Sequence, residues 1–206
     1  MWKNKKIETA IEVLEKLNEN KPLLYSCNVD FYDAKMNFIK SSKVLDREFT
    51  FERICVEPCL LGMTFVFNNL LLDLVRNVNP NNVDGHDYIV SMIASGFGKI
   101  IYDETPWVRY RRYDNTTSPT GMNFLFLFIW RLKKFLFLKN NKIVEQWNEF
   151  YKLFHTQLNG RNLRFMSLLS HKTCLSNFRL FFYPRRLRKK NLDELFLRIM
   201  FLLNLL

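Results

Sequence analysis

At 206 residues the chain is long enough for one domain with an appendage and short for two full domains. A hydrophobic share of 48% and a charged share of 25% exclude a disordered chain. With six glycines and no G-x-G-x-x-G or G-x-x-x-x-G-K-[ST], the sequence also excludes glycine loops of the dinucleotide-binding and P-loop kinds.

The net charge of +11 is unevenly spread. Residues 1–108 hold 12 Lys/Arg and 15 Asp/Glu, a net of −3, whereas residues 109–206 hold 19 and 5, a net of +14. Such a split points to an anionic partner for the basic half.

Residues 4–19 predict an amphipathic helix, with Ile7, Ala10, Ile11, Leu14 and Leu17 at helical spacing and Pro22 ending it. No secretory leader is read here, because the opening Met1-Trp2-Lys3-Asn4-Lys5-Lys6 leads into that helix and not into an apolar run. Residues 23–29 read as a short buried strand, followed by a polar stretch to about Thr50 and a short helix at 51–56. Pro58 and Gly62 bracket a turn before an apolar, β-rich strand at 63–67. Residues 68–76 read as a helix and 77–82 as a loop containing Pro80. Asp84 is placed to cap the next helix, which carries Tyr88, Ile89, Met92 and Ile93 and ends near Gly98.

Two strands are then expected, at 99–102 and 107–113, joined by a loop at 103–106. Residues 115–121 (Asn, Thr, Thr, Ser, Pro, Thr, Gly) form the clearest linker, and they coincide with the change of charge sign. Beyond it helices are expected at 122–138, 141–158, 161–170 and 192–206. The apolar stretch 122–138 is interrupted by Arg131, Lys133 and Lys134, so it falls short of the roughly 20 apolar residues that a membrane span needs. The division is thus an α/β part, residues 1–120, and a basic, Phe-rich helical part, residues 121–206.

Three features carry chemistry. Asp87, beside His86 at a helix start, suits either a general base or a simple helix cap. The alternating Arg109-Tyr110-Arg111-Arg112-Tyr113 suits phosphate binding or an exposed strand face. In the helical part, cations such as those at 185–190 follow Phe178, Phe181, Phe182 and Tyr183. That mixture suits an interfacial membrane helix, single-stranded nucleic acid, or a bundle with a solvated basic face. Cys27, Cys55, Cys59 and Cys174 make no C-x-x-C, and His171 with Cys174 is one lone ligand pair, so no metal site is expected. Reduced thiols are expected instead.

Four pieces in order resemble family 2 glycosyltransferases, especially the rhamnosyltransferase-like members of bacterial polysaccharide assembly. They are Gly62-Met63-Thr64-Phe65-Val66-Phe67-Asn68, Gly85-His86-Asp87-Tyr88, Ala94-Ser95-Gly96-Phe97-Gly98-Lys99-Ile100 and Tyr110-Arg111-Arg112-Tyr113-Asp114-Asn115. In the last, the family usually reads Tyr-Arg-Gln-His-Gly-Asn, so Arg112 and Tyr113 depart from the pattern. Met1-Trp2-Lys3-Asn4-Lys5-Lys6-Ile7 resembles the segment that directly follows the family's aspartate-rich metal and sugar-nucleotide motif.

The resemblance covers about residues 1–121. It implies the C-terminal, acceptor-side half of a GT-A type α/β domain, with the donor-binding half expected to lie before Met1. By the same resemblance Asp87 is the base of inverting transfer, Gly62 and His86 belong to the acceptor site, and Arg111 and Arg112 face the donor diphosphate. A divalent Mg²⁺ or Mn²⁺ is expected for a complete enzyme and none for this chain. The implied partners are a nucleotide sugar, a saccharide or lipid-linked acceptor, the missing half, and an anionic membrane surface, with no nucleic acid. The implied location is cytoplasmic, peripheral at the inner face of the cell membrane. The alternative is a non-catalytic basic helical module that binds anionic membrane or nucleic acid.

Overall fold

Asn68 ties two elements together before either can stand alone. Its side-chain oxygen accepts the backbone N–H groups of Leu23 (3.0 Å) and Leu71 (3.2 Å), while its amide donates to the carbonyl of Lys21 (2.9 Å). One side chain therefore caps helix α3 (Asn69–Val75) and pins the start of strand β1 (Leu23–Tyr32). The computed structural model describes residues 1–17, 19–42, 48–113 and 142–206. The expected linker 115–121 and helix 122–138, with Arg131, Lys133 and Lys134, lie outside the described residues, as does 43–47 of the polar stretch.

The described residues form a mixed α/β structure. β1 is the central strand of a small mixed sheet. It pairs in parallel with β4 (Lys99–Arg111) on one side. On the other it pairs antiparallel with β2 (Phe38–Ser41) and with the short β3 (Val66–Phe67). Gly98 lets β4 begin hard against the chain entering β1, since a Cβ there would overlap the Pro22 carbonyl. Helix α1 (Lys6–Leu17) precedes β1, α2 (Phe51–Ile54) follows β2, and α4 (His86–Phe97) feeds β4. The remaining described helices are α5 (Lys142–Phe154), α6 (Gly160–Ser170), α7 (Cys174–Phe181) and α8 (Asn191–Leu202).

Several elements differ from their sequence expectation. The two strands expected at 99–102 and 107–113 are one strand with an irregular register opposite Asn28. Asp103 absorbs the irregularity by accepting from Tyr25 Oη (2.7 Å), Trp107 Nε1 (2.7 Å) and the Thr105 N–H (2.8 Å). The strand expected at 63–67 is a 3-10 turn, Gly62–Thr64, followed by the short β3. The loop at 77–82 contains a 3-10 turn, Pro80–Asn82. β2 arises within the polar stretch, and α7 arises where no helix was expected, capped by the Thr173 hydroxyl accepting from the Ser176 N–H (3.0 Å). On α1, Ala10 is buried but Ile7 and Ile11 are exposed, so only part of the expected apolar stripe is covered.

The main core spans both parts of the chain. Leu24, Phe51, Ile54 and Ile93 from the α/β part join Trp147, Phe150, Phe154 and Phe165 from the helical part in one buried cluster. The Cys55 carbonyl shows the junction in detail. It accepts both the Tyr88 hydroxyl of α4 and the Trp147 indole N–H of α5, the latter at 2.7 Å. A smaller cluster forms under α1, where Ala10 meets Tyr25, Cys27, Val29 and Val108. The intervening Ser26, Asn28 and Asp30 of β1 are also buried, and each is hydrogen-bonded.

Candidate functional site

The 3-10 turn at Gly62 is held from two sides. The Thr64 hydroxyl is hydrogen-bonded to Ser26 Oγ of β1 (2.7 Å) and to the Leu61 carbonyl (2.7 Å), and Trp2 Nε1 donates to the Met63 carbonyl (3.0 Å). These bonds set Gly62 directly against the start of α4. A Cβ added at Gly62 would lie 2.6 Å from His86 Nε2 and 3.0 Å from Asp87 Cβ. Residues 24 positions apart in sequence are thus in contact, and only a glycine leaves room for the pair.

The loop into α4 is clamped by the helical part of the chain. The fully buried Gln146 of α5 accepts the Asp84 backbone N–H (3.0 Å). Glu149, one turn on, accepts from the Asn79 N–H (3.3 Å) and from Asn82 Nδ2 (2.9 Å). Asp84 is therefore not the helix cap expected from the sequence. Gly85 occupies the cap position, with extended backbone, and Asp87 is the second residue of the helix. The half-buried Asp87 carboxylate accepts the Tyr88 N–H (3.0 Å), which it shares with the Gly85 carbonyl (3.1 Å) in the first turn of the helix.

Asp87 opens onto a cleft of about 740 Å³. Phe31, Tyr102 and Tyr110 supply aromatic walls, and Ser26, Ser41 and the Lys40 ammonium supply polar groups. Phe31 and Tyr110 meet edge to face at 5.7 Å. Behind the wall, Asp30 is held by Lys3 Nζ (2.7 Å) and Ser41 Oγ (2.6 Å). Burial works to raise its pKa, but the hydrogen bonds from Lys3 and Ser41 and the charges of Lys3 and Arg109 hold it below the usual value. Burial pushes the Cys27 thiol up to about 11 and the Tyr102 hydroxyl up to about 12, so both stay protonated near neutral pH.

The residues singled out in the sequence fall into two groups. Gly62 lies against His86 and Asp87, and of the three Asp87 lines the cleft, beside Leu61 and Met63, the chain neighbours of Gly62. Arg111 and Arg112 are not among the lining residues. Arg111 donates to Met36 Sδ (3.0 Å) and to the Tyr113 hydroxyl (3.1 Å). The Arg112 guanidinium sits 5.4 Å from the centre of the Phe31 ring, on a residue of the cleft wall. Sequence reasoning missed Lys40, because β2 carries no clean alternation, and it missed the clamp of Gln146 and Glu149, whose partners are more than 60 residues away.

Among the described residues no three His, Cys, Asp or Glu side chains group as metal ligands. His171 instead contacts the Ser167 carbonyl (3.1 Å) and the Tyr151 ring, and Cys27, Cys55, Cys59 and Cys174 are all free thiols. No helix among the described residues is long and apolar enough to cross a membrane.

Compared with known families, curated proteins and solved structures, the chain matches none of them.

Chemically, the arrangement offers one positioned carboxylate at the edge of a cleft with aromatic walls and several hydroxyl groups. Such a cleft suits a ligand with ring faces and many hydroxyls, and the carboxylate suits removal of a proton from one of them.

Proposed function

We propose that the chain is the acceptor-side part of an inverting glycosyltransferase of the family 2 kind, built on half of a GT-A type domain. The observation that carries this is the packing of Gly62 against His86 and Asp87, with Asp87 lining the cleft, from two sequence pieces that resemble that family independently. In this role the Asp87 carboxylate takes the proton from an acceptor hydroxyl as that oxygen attacks the anomeric carbon of the donor sugar. The bond from the sugar to the diphosphate breaks, a nucleoside diphosphate leaves, and the configuration inverts. Positioned base catalysis of this type contributes about 10²- to 10⁴-fold in rate.

His86 is exposed beside Gly62, where it would shape the acceptor site. Arg111 and Arg112, neither of which lines the cleft, are assigned to the donor diphosphate. The described residues offer no ligand set for the Mg²⁺ or Mn²⁺ that the complete enzyme is expected to use. The donor-binding half is assigned to a further segment or partner chain. The acceptor is a saccharide, free or lipid-linked, and the location is peripheral, at the inner face of the cell membrane.

The test is to express the chain joined to whatever is encoded in frame immediately upstream of Met1, and to assay sugar transfer from nucleotide sugars. Transfer supports the proposal, and a joined, folded protein that transfers nothing from any nucleotide sugar contradicts it. A second reading, a non-catalytic module for anionic membrane or nucleic acid, draws on the net charge of +14 in residues 109–206. It predicts binding without turnover.

A further inference from the structure

Half of the large apolar residues that the described structure leaves exposed lie within residues 175–203. On α7 they are Leu175, Phe178 and Phe182, spaced three and four apart and hence on one face. On α8 they are Leu192, Leu195, Ile199 and Leu202, again on one face, with Leu203 following. The opposite face of each helix is the one that packs inward, through Leu180 on α7 and through Leu197, Met200 and Phe201 on α8. Each helix is therefore apolar on both sides, which water alone does not favour.

The two exposed stripes join. Phe178, Leu202 and Leu203 line the same groove, of about 380 Å³, and the Phe178 and Phe182 rings touch at 4.7 Å. Cations border them. Lys172 lines the groove itself, and the exposed Arg179, four residues after Leu175, sits on the apolar face of α7. The loop between the helices adds Arg185, Arg186, Lys189 and Lys190. Residues 171–206 hold eight Lys/Arg against two Asp/Glu, a side-chain net of +6. Some of these cations serve the fold. Arg188 donates to the Val56 carbonyl (2.9 Å), and Arg198 pairs with Glu194 (2.6 Å) and donates to the Phe181 carbonyl (2.6 Å). Among the others, Lys172, Arg179, Arg185, Arg186 and Lys190 are exposed.

We infer that the outer face of α7 and α8 is a monotopic docking surface for an anionic lipid bilayer. An exposed apolar stripe bordered by cations matches the boundary between acyl chains and acidic headgroups. Charge decides between occupants. A second copy of the chain would set two surfaces of net positive charge against each other, whereas acidic headgroups neutralise them. The inference rests on the peripheral membrane location proposed above and is independent of the transfer chemistry.

The test is flotation of the full chain with phosphatidylcholine vesicles, with and without phosphatidylglycerol. The wild-type chain is expected to float with the acidic vesicles at low salt and to float less, without vanishing, as NaCl rises. The triple variant Phe178→Gln, Leu195→Gln, Leu202→Gln alters exposed positions only, so its melting temperature is expected to hold. Its vesicle partitioning is expected to fall about tenfold or more at every salt concentration. The pair Arg179→Gln, Lys190→Gln is expected to lose chiefly the salt-sensitive part. Undiminished flotation by a folded triple variant overturns this surface while leaving the membrane location standing. No flotation of the wild-type chain at low salt overturns both. A concentration-dependent dimer that the triple variant abolishes, without flotation, assigns the face to a second copy and also overturns the inference.

Discussion

His86 Nε2 stands where a Cβ on Gly62 would come within 2.6 Å of it. Contacts under 3.0 Å force something to shift, and the second neighbour, Asp87 Cβ at 3.0 Å, is bonded directly to the helix backbone and gives way less easily than an imidazole. Gly62→Ala is expected to destabilise the protein by about 1–3 kcal/mol, the usual cost of overpacking. Adding His86→Ala should recover part of that loss, because it removes the closest clash. Denaturant unfolding of the two single variants and the double variant measures the coupling. Strictly additive losses would show that the two residues do not press on each other.

The helical part is expected to be inseparable from the α/β part. Trp147 is 1% exposed and Phe150 is fully buried, and both pack in the cluster that holds Ile54 and Ile93. Trp147→Ala removes a large buried ring and the indole N–H that reaches the Cys55 carbonyl, so it should cost about 3–5 kcal/mol. Residues 1–113 expressed alone should lack cooperative unfolding, read by circular dichroism on heating. A sharp transition in that fragment would contradict the shared core.

How much of this was legible in the sequence depends on the range of the interaction concerned. α1, α3, α4 and the short α2 follow local signals, and Asn68 at the start of α3 acts as the cap its residue type favours. The strand at 23–29 was visible as an apolar run, though it extends to Tyr32 because β4 continues to pair with it. The break expected at 103–106 reflected real turn residues. They became an irregularity within one strand: the pairing shifts from Cys27 with Asp103 to Asn28 with Pro106 and Val29 with Val108, while the Asp103 carboxylate, accepting from Tyr25, ties the β4 side to β1. His86 and Asp87 were legible as residues of a helix start, but the clamp of Gln146 and Glu149 on the loop before them was not. No local pattern announces a contact spanning more than 60 residues.

Acid sensitivity follows from Asp30 and Asp103. Burial acts to raise both, but hydrogen bonds outweigh it, from Lys3 and Ser41 for Asp30 and from Tyr25, Thr105 and Trp107 for Asp103, and both pKa values are lowered. A carboxylate with a lowered folded pKa contributes stability that is fully present above its unfolded value, about 3.9, and is lost as the pH falls through the folded value. Melting temperature should therefore drop as the pH falls below about 4. Asp103→Asn should lower stability at neutral pH and flatten that acid limb. An acid limb as steep in the variant as in the wild type would remove Asp103 from the cause.

The acceptor-side assignment predicts weak donor binding. Calorimetry of the purified chain with nucleotide sugars, in Mg²⁺ or Mn²⁺, should show neither micromolar affinity nor turnover. Micromolar binding of a nucleotide sugar by this chain alone would contradict the assignment.

The most direct measurement is the rate of the Asp87→Asn variant in the chain joined to its donor-binding half. Asparagine keeps the size of the side chain and removes its capacity to take a proton. The expected result is a fall in kcat of about 10²- to 10⁴-fold, with donor KM and melting temperature little changed. A folded variant that keeps most of its rate would contradict the role of Asp87 as the base and leave it a residue of the helix start.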